Sequence, residues 1–340
     1  MTKEDSLVLK GVAIVMMLLY HLFYCGTACG RILDIEYMGG VDKFFFVRFS
    51  EICYPVSLYV MITGYGLFCT YQKLTAKKIA KKVVYIYLHL WLLYSIIVPV
   101  ACYMRPDVYP GSWTELLKNI FSVSSSYCAE QWFLLPYLIL LCLSKWICKL
   151  ISSWNSILVL LISLVFYALY LGIYQKIGVG CLFQRFGVFV NLYFLLCFML
   201  PFSLGAVVQK EGWIEKITKF IENTFGIGKT IVCAWAILLL LIVVRMIVHN
   251  QSIQPIAVLV LFLLFPLLNL NNKVKGVLMY LGKHSMNMWL IHGWICFYLF
   301  TEIVCVAKYP IGIFIVTLVW SLLLSIVVEF VYKHLFARYL

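Results

Sequence analysis

Ten apolar blocks follow one another along the chain, separated by short polar segments. Each block approaches the roughly 20 residues that an α-helix needs to cross a bilayer. The pattern therefore predicts an all-α, polytopic membrane helix bundle of about ten transmembrane helices, with residues 1–340 forming a single integral-membrane domain. The blocks lie at residues 7–25, 53–71, 83–103, 131–150, 156–174, 188–208, 230–248, 253–270, 279–300 and 311–332.

The composition agrees with a bilayer environment. Hydrophobic residues make up 64% of the chain and charged residues 12%, whereas soluble domains are about 25% charged. The net charge is +13, and most Lys and Arg fall in alternate loops, which orients the bundle by the positive-inside rule. We expect both termini, 72–82 and 271–283 to be cytoplasmic, and 26–52 and 104–130 to face outward. The charge thus indicates topology and binding to lipid headgroups, with no nucleic-acid partner.

Two predicted helices carry histidines at membrane depth, where an ionisable side chain is costly and suggests function. KGVAIVMMLLYHLF places His21 eleven residues after Lys10, about 16 Å along the axis and within about 20° of the same face. LGKHSMNMWLIH places His292 seven residues after Ser285, about 10 Å along one face. Both helices enter from the cytoplasm, so we expect the two histidines at similar depth. The alternative for each is a structural interhelical hydrogen bond.

The second helix and the segment after it add two patterns. ITGYG brings Thr63 and Tyr65 to comparable depth, with two glycines that let another helix or an extended ligand approach closely. KLTAKKIAKK then places lysines four residues apart on one helical face, where like charges repel unless anions offset them. Lipid headgroups or a phosphorylated cofactor would supply those anions. The lysine run, as we call it, consists of Lys77, Lys78, Lys81 and Lys82.

These segments resemble the integral-membrane acyltransferase-3 family of ten-helix, acyl-CoA-dependent O-acyltransferases. The resemblance rests on LKGVAIVMMLLYHLF, ITGYGLF, the lysine run, WFLLPYL and LGKHSMNMWLIH, and extends from residue 6 to about 335. It implies that His21 is the essential first-helix histidine and Lys10 its basic partner. It also implies that Ser285 and His292 form the late motif.

Two departures from the family matter for the expected site. Thr63 stands where serine is usual. The basic run is all lysine where the family favours arginines, and lysine binds phosphate as a point charge without the bidentate fork of arginine. The resemblance therefore leaves open which lysines of the run hold a phosphate.

Acyl transfer suits these residues on chemical grounds as well. Moving an acyl group from a thioester to a hydroxyl needs a base, donors for the oxyanion and a dry site. His21 is the candidate base. The expected donor is acyl-CoA, with acetyl as the expected acyl group, and no metal is expected. The predicted cofactor-side residues are Lys10, the lysine run, Tyr65, Ser285 and His292.

The outer helix ends hold residues that suit a sugar acceptor, which needs hydrogen-bonding groups and an aromatic platform. These residues are Arg48, Glu51, Trp132 and Arg185. The sequence thus predicts a multi-pass O-acyltransferase of the bacterial inner membrane. Its acceptor would be a hydroxyl of a cell-surface glycan or of a lipid-linked sugar.

Two other functions stay open at this point. Polar residues and close-packed glycines at depth also suit a glycan or lipid transporter without acyl transfer. A b-type haem carrier would use His21, His89 and His292 as iron ligands. His89 stands among aromatic residues, which is typical of an interfacial belt. Arg245, near an outer helix end, is expected to extend toward the interface.

Overall fold

The computed structural model describes residues 1–25, 33–177, 189–248 and 250–336. These residues form α-helices joined by short turns, with no β-strand among them. The α-helices are, in chain order, α1 (Lys3–Leu19), α2 (Gly40–Glu51), α3 (Pro55–Thr70), α4 (Ala76–Met104), α5 (Trp113–Ile120), α6 (Leu134–Ser153), α7 (Ser156–Ile177), α8 (Val190–Glu211), α9 (Trp213–Phe225), α10 (Thr230–Ile247), α11 (Gln254–Leu264), α12 (Asn272–Gly293), α13 (Thr301–Cys305) and α14 (Pro310–Leu335).

The predicted all-α polytopic bundle is confirmed. Every predicted span coincides with a helix, and eight helical segments of the described residues are long and apolar enough to cross a membrane. Two of the ten predicted spans form helices that do not meet this criterion of length and hydropathy, for different reasons. α11 is short, whereas α12 carries too many polar side chains to qualify by composition. A helix of this kind is tolerated at membrane depth when protein surrounds it.

Local sequence sets several helix ends. Pro55 and Pro310 occupy the first positions of α3 and α14, where the missing N–H costs nothing. Thr75 caps α4 by accepting a hydrogen bond from the backbone N–H of Lys78 at 3.3 Å. Gly212 ends α8 with a positive φ of 62°, a conformation that favours glycine. The boundaries therefore follow from ordinary capping chemistry.

The helices group into two compact units. Unit 1 comprises Met1–Met16, Glu51–Leu74 and Leu143–Lys283, and unit 2 comprises Met17–Ser50, Thr75–Cys142 and His284–Leu340. The family-like segments are thereby divided. Unit 1 contains Lys10 and the ITGYG segment, while unit 2 contains both site histidines and the lysine run.

In unit 1, α3 and α8 pack through glycines on both helices. A Cβ at Gly64 would overlap the backbone of Phe202, and a Cβ at Gly205 would overlap the carbonyl of Met61. Helices approach this closely only where side chains are absent. The expectation of a close helix approach is thus confirmed at Gly64, whereas a Cβ at Gly66 would meet nothing within 4 Å among the described residues.

The same device joins α1 and α12 within unit 1. A Cβ at Gly11 would overlap the carbonyl of Leu278, and a Cβ at Gly282 would overlap the carbonyl of Leu7. Gly11 follows Lys10, and Gly282 belongs to the Leu-Gly pair of the late motif. These two glycines therefore have a packing role in bringing the two helices together.

In unit 2, α4 packs against α14 through a partly buried polar pair. The Nε2 of His89 lies 3.1 Å from a carboxylate oxygen of Glu329, and its Nδ1 lies 2.8 Å from the carbonyl oxygen of Tyr85. His89 is fully buried. The interpretation of His89 as an interfacial-belt residue is therefore wrong, because tertiary packing against Glu329 places it inside the unit.

Candidate functional site

Two π-helical turns lie in unit 2, one after each of the helices that carry the site histidines. The segment Tyr20–Cys25 follows α1 and contains His21, and the segment Trp294–Tyr298 follows α12 directly after His292. π-Helical turns are rare and occur frequently at functional sites. Their presence at both histidines marks this part of unit 2 as the candidate site.

The imidazole rings of His21 and His292 are in contact. Their centroids lie 4.9 Å apart with an interplanar angle of 44°. His292 is fully buried and His21 partly buried. The structure thus brings together the two histidines that the sequence placed at similar depth.

The tautomer of His292 follows from its surroundings. Its Nδ1 lies 2.7 Å from the carbonyl oxygen of Trp289, which can only accept a hydrogen bond, so Nδ1 carries the proton. The Nε2 of the neutral ring is then an acceptor. It has no hydrogen-bond partner among the residues that the structure describes. A buried basic nitrogen of this kind is ready to accept a proton from a bound hydroxyl.

A short 3₁₀ turn, Ala129–Phe133, packs against this end of α12. The indole N–H of Trp289 donates to the carbonyl oxygen of Glu130 at 3.1 Å, and the side-chain amide of Gln131 donates to the carbonyl oxygen of Leu290 at 2.9 Å. The hydroxyl of Tyr94 in turn donates to Gln131 at 2.6 Å. These bonds hold the turn in place beside the histidines.

The carboxylate of Glu130 is a site residue that the sequence analysis missed. Glu130 is 4% exposed, and it lies close enough to His292 to interact with it electrostatically. A Cβ at Gly293 would come within 2.7 Å of its Oε2, so glycine at this position makes room for the carboxylate. The thiol of Cys128 donates to the same oxygen at 3.5 Å. The one available signal was an acidic residue two positions before the WFLLPYL segment.

Ser285 lies on the same face of α12 as His292, as their spacing predicts, and is 4% exposed. Asn287 is also 4% exposed, and its Oδ1 has no hydrogen-bond partner among the described residues. Unsatisfied buried oxygens are uncommon in folded proteins and invite an explanation. This stretch of α12 therefore offers polar groups that a substrate can engage.

The lysine run occupies the first turns of α4, with all four side chains exposed. The first turn holds no acidic residue. Free backbone N–H groups at a helix N-terminus already favour anions, so four added positive charges make this end of unit 2 strongly attractive to phosphate. The structure places the lysine run and the histidine pair in the same unit.

Other predicted cofactor-side residues belong to unit 1. Lys10 is partly buried on α1, and the hydroxyl of Tyr59 donates to its backbone carbonyl at 3.4 Å. Tyr65 is 5% exposed and its hydroxyl lies 3.2 Å from the N-terminal ammonium group of Met1. Tyr65 also packs on the ring of Phe262, at 5.6 Å between centroids. These contacts give Tyr65 a role in the core of unit 1.

The described acceptor residues are divided between the two units. Trp132 is partly buried on the turn that carries Glu130, in unit 2. Arg48 lies on α2, with its guanidinium 5.5 Å from the ring centroid of Phe44. Glu51 is buried and belongs to unit 1. Arg185 lies outside the described residues. Of the three that the structure describes, Trp132 is therefore the one on the element beside the histidines.

A polytopic helix bundle in which a buried histidine contacts a partly buried one, with a buried carboxylate nearby, defines a membrane protein with a site suited to proton transfer. The family model for an acyltransferase domain matches residues 7–330. The chain therefore belongs to the acyltransferase-3 family and is a membrane acyltransferase. No curated protein and no solved structure was found to match it.

Proposed function

We propose that this acyltransferase moves an acetyl group from acetyl-CoA, on the cytoplasmic side of a bacterial inner membrane, to a hydroxyl of a cell-surface glycan or a lipid-linked sugar. The observation that carries the proposal is the ring contact between His21 and His292 in unit 2. Two imidazoles beside a buried carboxylate can accept, hold and return a proton near neutral pH. The family assignment supplies the acyl transfer, and the acetyl donor, the glycan acceptor and the membrane are part of the proposal.

In the proposed reaction, His21 takes the proton of the acceptor hydroxyl while the hydroxyl oxygen attacks the thioester carbonyl. The resulting tetrahedral oxyanion collapses, the carbon–sulfur bond breaks, and an ester and a thiolate form. The imidazolium then returns its proton to the thiolate sulfur, so that free CoA leaves and His21 is regenerated. A base positioned in this way typically contributes a rate factor of about 10² to 10⁴.

His292 and Glu130 support this step in the proposed mechanism. His292 presents a second basic nitrogen at the same place, with its tautomer fixed by Trp289. The carboxylate of Glu130 stabilises the positive charge that develops on the imidazole pair during proton transfer. Ser285 and Asn287 are proposed to contact the thioester arm of the donor.

The donor phosphates are proposed to bind the lysine run, with Lys10 at the mouth of the first helix. This arrangement requires both termini and residues 72–82 to be cytoplasmic. Arg48, Glu51, Trp132 and Arg185 remain the proposed acceptor side, with Trp132 best supported because it shares a turn with Glu130.

Neither alternative function has comparable support. Membership in an acyltransferase family favours acyl transfer over transport alone. A haem carrier would need His89 as a free ligand, but both of its ring nitrogens face protein oxygens. The 4.9 Å between the centroids of His21 and His292 also leaves too little room for an iron porphyrin held between the rings.

The test is mass spectrometry of surface glycans from cells that lack the gene, complemented with the wild type or with His21→Gln. We expect O-acetyl groups with the wild type and their absence with His21→Gln at equal protein levels. Identical glycans with and without the gene would contradict the acceptor assignment. Single cysteines introduced into a variant without native cysteines test the topology, because labelling of residues 72–82 in intact cells by an impermeant thiol reagent would reverse it.

A further inference from the structure

Unit 1 contains a buried arginine that the acyl-transfer mechanism does not use. Arg245 lies in the last turn of α10 and is 3% exposed. The expectation that it extends toward the interface is therefore wrong, because the side chain is enclosed by protein. An arginine enclosed at a helix end of a membrane protein keeps its charge, since the guanidinium does not lose its proton.

The hydrogen bonds of Arg245 use only part of its donor set. Nη1 donates to the carbonyl oxygens of Val248 at 3.2 Å and Asn250 at 2.6 Å, and Nη2 donates to the hydroxyl of Tyr54. Nε has no acceptor among the described residues. A guanidinium has five N–H donors, so Nε and one N–H of Nη2 remain. Nε and Nη2 together form the edge of a guanidinium that binds carboxylate or phosphate in a bidentate manner, and the hydroxyl of Tyr54 occupies part of this edge.

Among the residues that the structure describes, no carboxylate pairs with this guanidinium. Arg245 forms no ion pair with any residue in the described part of the chain. The carbonyls at the end of α10 contribute at most about half a negative charge. Removing one partner of a buried ion pair is strongly destabilising because it leaves an uncompensated charge. A buried guanidinium without a counterion therefore points to an anionic ligand.

Two tyrosines lie near this guanidinium, and a second tyrosine pair belongs to α7 and α8. The ring of Tyr54 lies 5.3 Å from the guanidinium carbon, and Tyr167 lies close enough to both Tyr54 and Arg245 to interact electrostatically. Tyr193 donates to the backbone carbonyl of Tyr170 at 3.0 Å, and their rings lie 5.0 Å apart. These residues come from the start of α3, the second half of α7 and the start of α8, which in the proposed topology all lie at the outward end of unit 1.

We propose that Arg245 binds a phosphoryl group at this end of unit 1, beside Tyr167 and in competition with the hydroxyl of Tyr54. The hydroxyl of Tyr54 occupies the place of an oxyanion oxygen, and a phosphoryl oxygen replaces it when Tyr54 turns away. The phosphoryl group belongs either to a membrane lipid or to a soluble phosphate compound. The proposal concerns binding alone and does not depend on acyl transfer, so either can fail without the other.

The test uses the purified full-length protein in micelles of a maltoside detergent, which carries no phosphoryl group. Thermal unfolding and binding are measured with phosphatidylglycerol or a polyisoprenyl phosphate added to the micelles, and with inorganic pyrophosphate added to the buffer. We expect at least one phosphoryl compound to bind the wild type and raise its melting temperature. A response to pyrophosphate indicates that a soluble source suffices, and a response to lipids alone indicates a lipid-anchored phosphate.

Variants separate binding from helix capping. Arg245→Gln is expected to weaken binding by about tenfold or more, because it removes charge-assisted hydrogen bonds. Arg245→Lys is expected to retain part of the affinity, since lysine keeps the positive charge but lacks the planar guanidinium that makes bidentate hydrogen bonds. Tyr54→Phe removes the internal competitor for Nη2, so binding should be as tight as in the wild type or tighter.

Lys210→Gln is the matched control. The ammonium of Lys210 also binds carbonyl oxygens at a helix end, those of Ile151 at 2.9 Å and Trp154 at 2.6 Å, in the same unit. This variant should lose stability without losing phosphoryl binding. The proposal is overturned if no phosphoryl compound affects the wild type, or if Arg245→Gln binds as the wild type does. Should Arg245→Gln fail to fold, weaker binding by Tyr54→Phe would overturn it instead.

Discussion

The two units bury basic side chains in opposite ways. Unit 2 buries His292 against His21, with the carboxylate of Glu130 nearby, so the charge in its interior can change with a single proton. Unit 1 buries Arg245, whose charge is permanent and has no carboxylate beside it among the described residues. A group that exchanges a proton suits catalysis, whereas a fixed charge suits the binding of an anion. We therefore assign chemistry to unit 2 and recognition to unit 1.

The largest expected effect comes from removing the proposed base. His21→Gln keeps the approximate size and some hydrogen bonding, and should lower kcat by about 10²-fold or more while leaving acyl-CoA binding nearly intact. The measurement is acyl transfer by purified protein against acyl-CoA concentration, with binding measured in parallel. His334→Gln is the control because His334 is exposed near the end of α14. Wild-type turnover in His21→Gln would make the histidine structural.

Lys10→Gln should impair acyl transfer in a different way from His21→Gln. Lys10→Gln removes a positive charge near the proposed cytoplasmic mouth but leaves the proposed base in place, so it should raise KM for acyl-CoA with little change in kcat. The same assay separates the two outcomes. An equal loss of kcat in both variants would contradict the separate roles assigned to them.

Glu130→Gln tests the part of the comparison that depends on a carboxylate in unit 2. The substitution keeps the shape and removes the charge, and should lower kcat by about tenfold with KM nearly unchanged, because a developing imidazolium loses its stabilising partner. Glu302→Gln, an exposed change on α13, is the control. If Glu130→Gln lowers the melting temperature but not kcat, the carboxylate serves packing alone.

The lysine run should have a smaller effect, confined to donor affinity. Changing Lys78 and Lys82 together to Gln should raise the acyl-CoA dissociation constant several-fold, and wild-type affinity should fall with salt, because exposed charges are screened. The matched double variant changes Lys216 and Lys219, which are exposed on α9 in unit 1. Equal losses in both double variants would indicate that net charge matters and the position of the lysines does not.

The smallest expected effect is that of changing Lys210, whose ammonium group binds backbone carbonyl oxygens. Lys210→Gln should cost about 1 kcal/mol of stability, the usual worth of such hydrogen bonds, and leave turnover per folded molecule unchanged. Thermal unfolding alongside the transfer assay gives both values. A loss of turnover at unchanged stability would indicate that unit 1 takes part in catalysis. It would contradict the proposal that catalysis belongs to unit 2.

Much of the fold follows from the sequence because hydropathy is a local property. The ten apolar blocks coincide with helices, and the two histidines that we expected at similar depth are in contact. The close helix packing at Gly64 could also be predicted from the sequence, since a glycine in a membrane helix commonly marks a close helix contact. What could be predicted was thus the position of residues along and around individual helices.

The remainder depends on which helices become neighbours. The sequence places Glu130 in a loop. It is buried because hydrogen bonds made by Trp289 and Gln131 hold its turn against α12. His89 pairs with Glu329, which lies 240 residues away in sequence. Arg245 is enclosed because Tyr54 from another helix covers it. No local pattern contains these pairings, so the sequence placed all three residues at surfaces or loops.

The π-helical turns at Tyr20–Cys25 and Trp294–Tyr298 also determine where the chain tolerates a change in length. Hydrogen bonds from residue i to i+5 enclose one residue more than the α-helical pattern. Deleting one residue inside Tyr20–Cys25 can therefore be absorbed by a return to ordinary α-helix. The same deletion between Val8 and Leu18 would rotate every later side chain of that helix by about 100°. Each histidine-bearing helix thus has a π-helical turn at or next to its histidine. One residue can be deleted within this turn while the rest of the helix keeps its register.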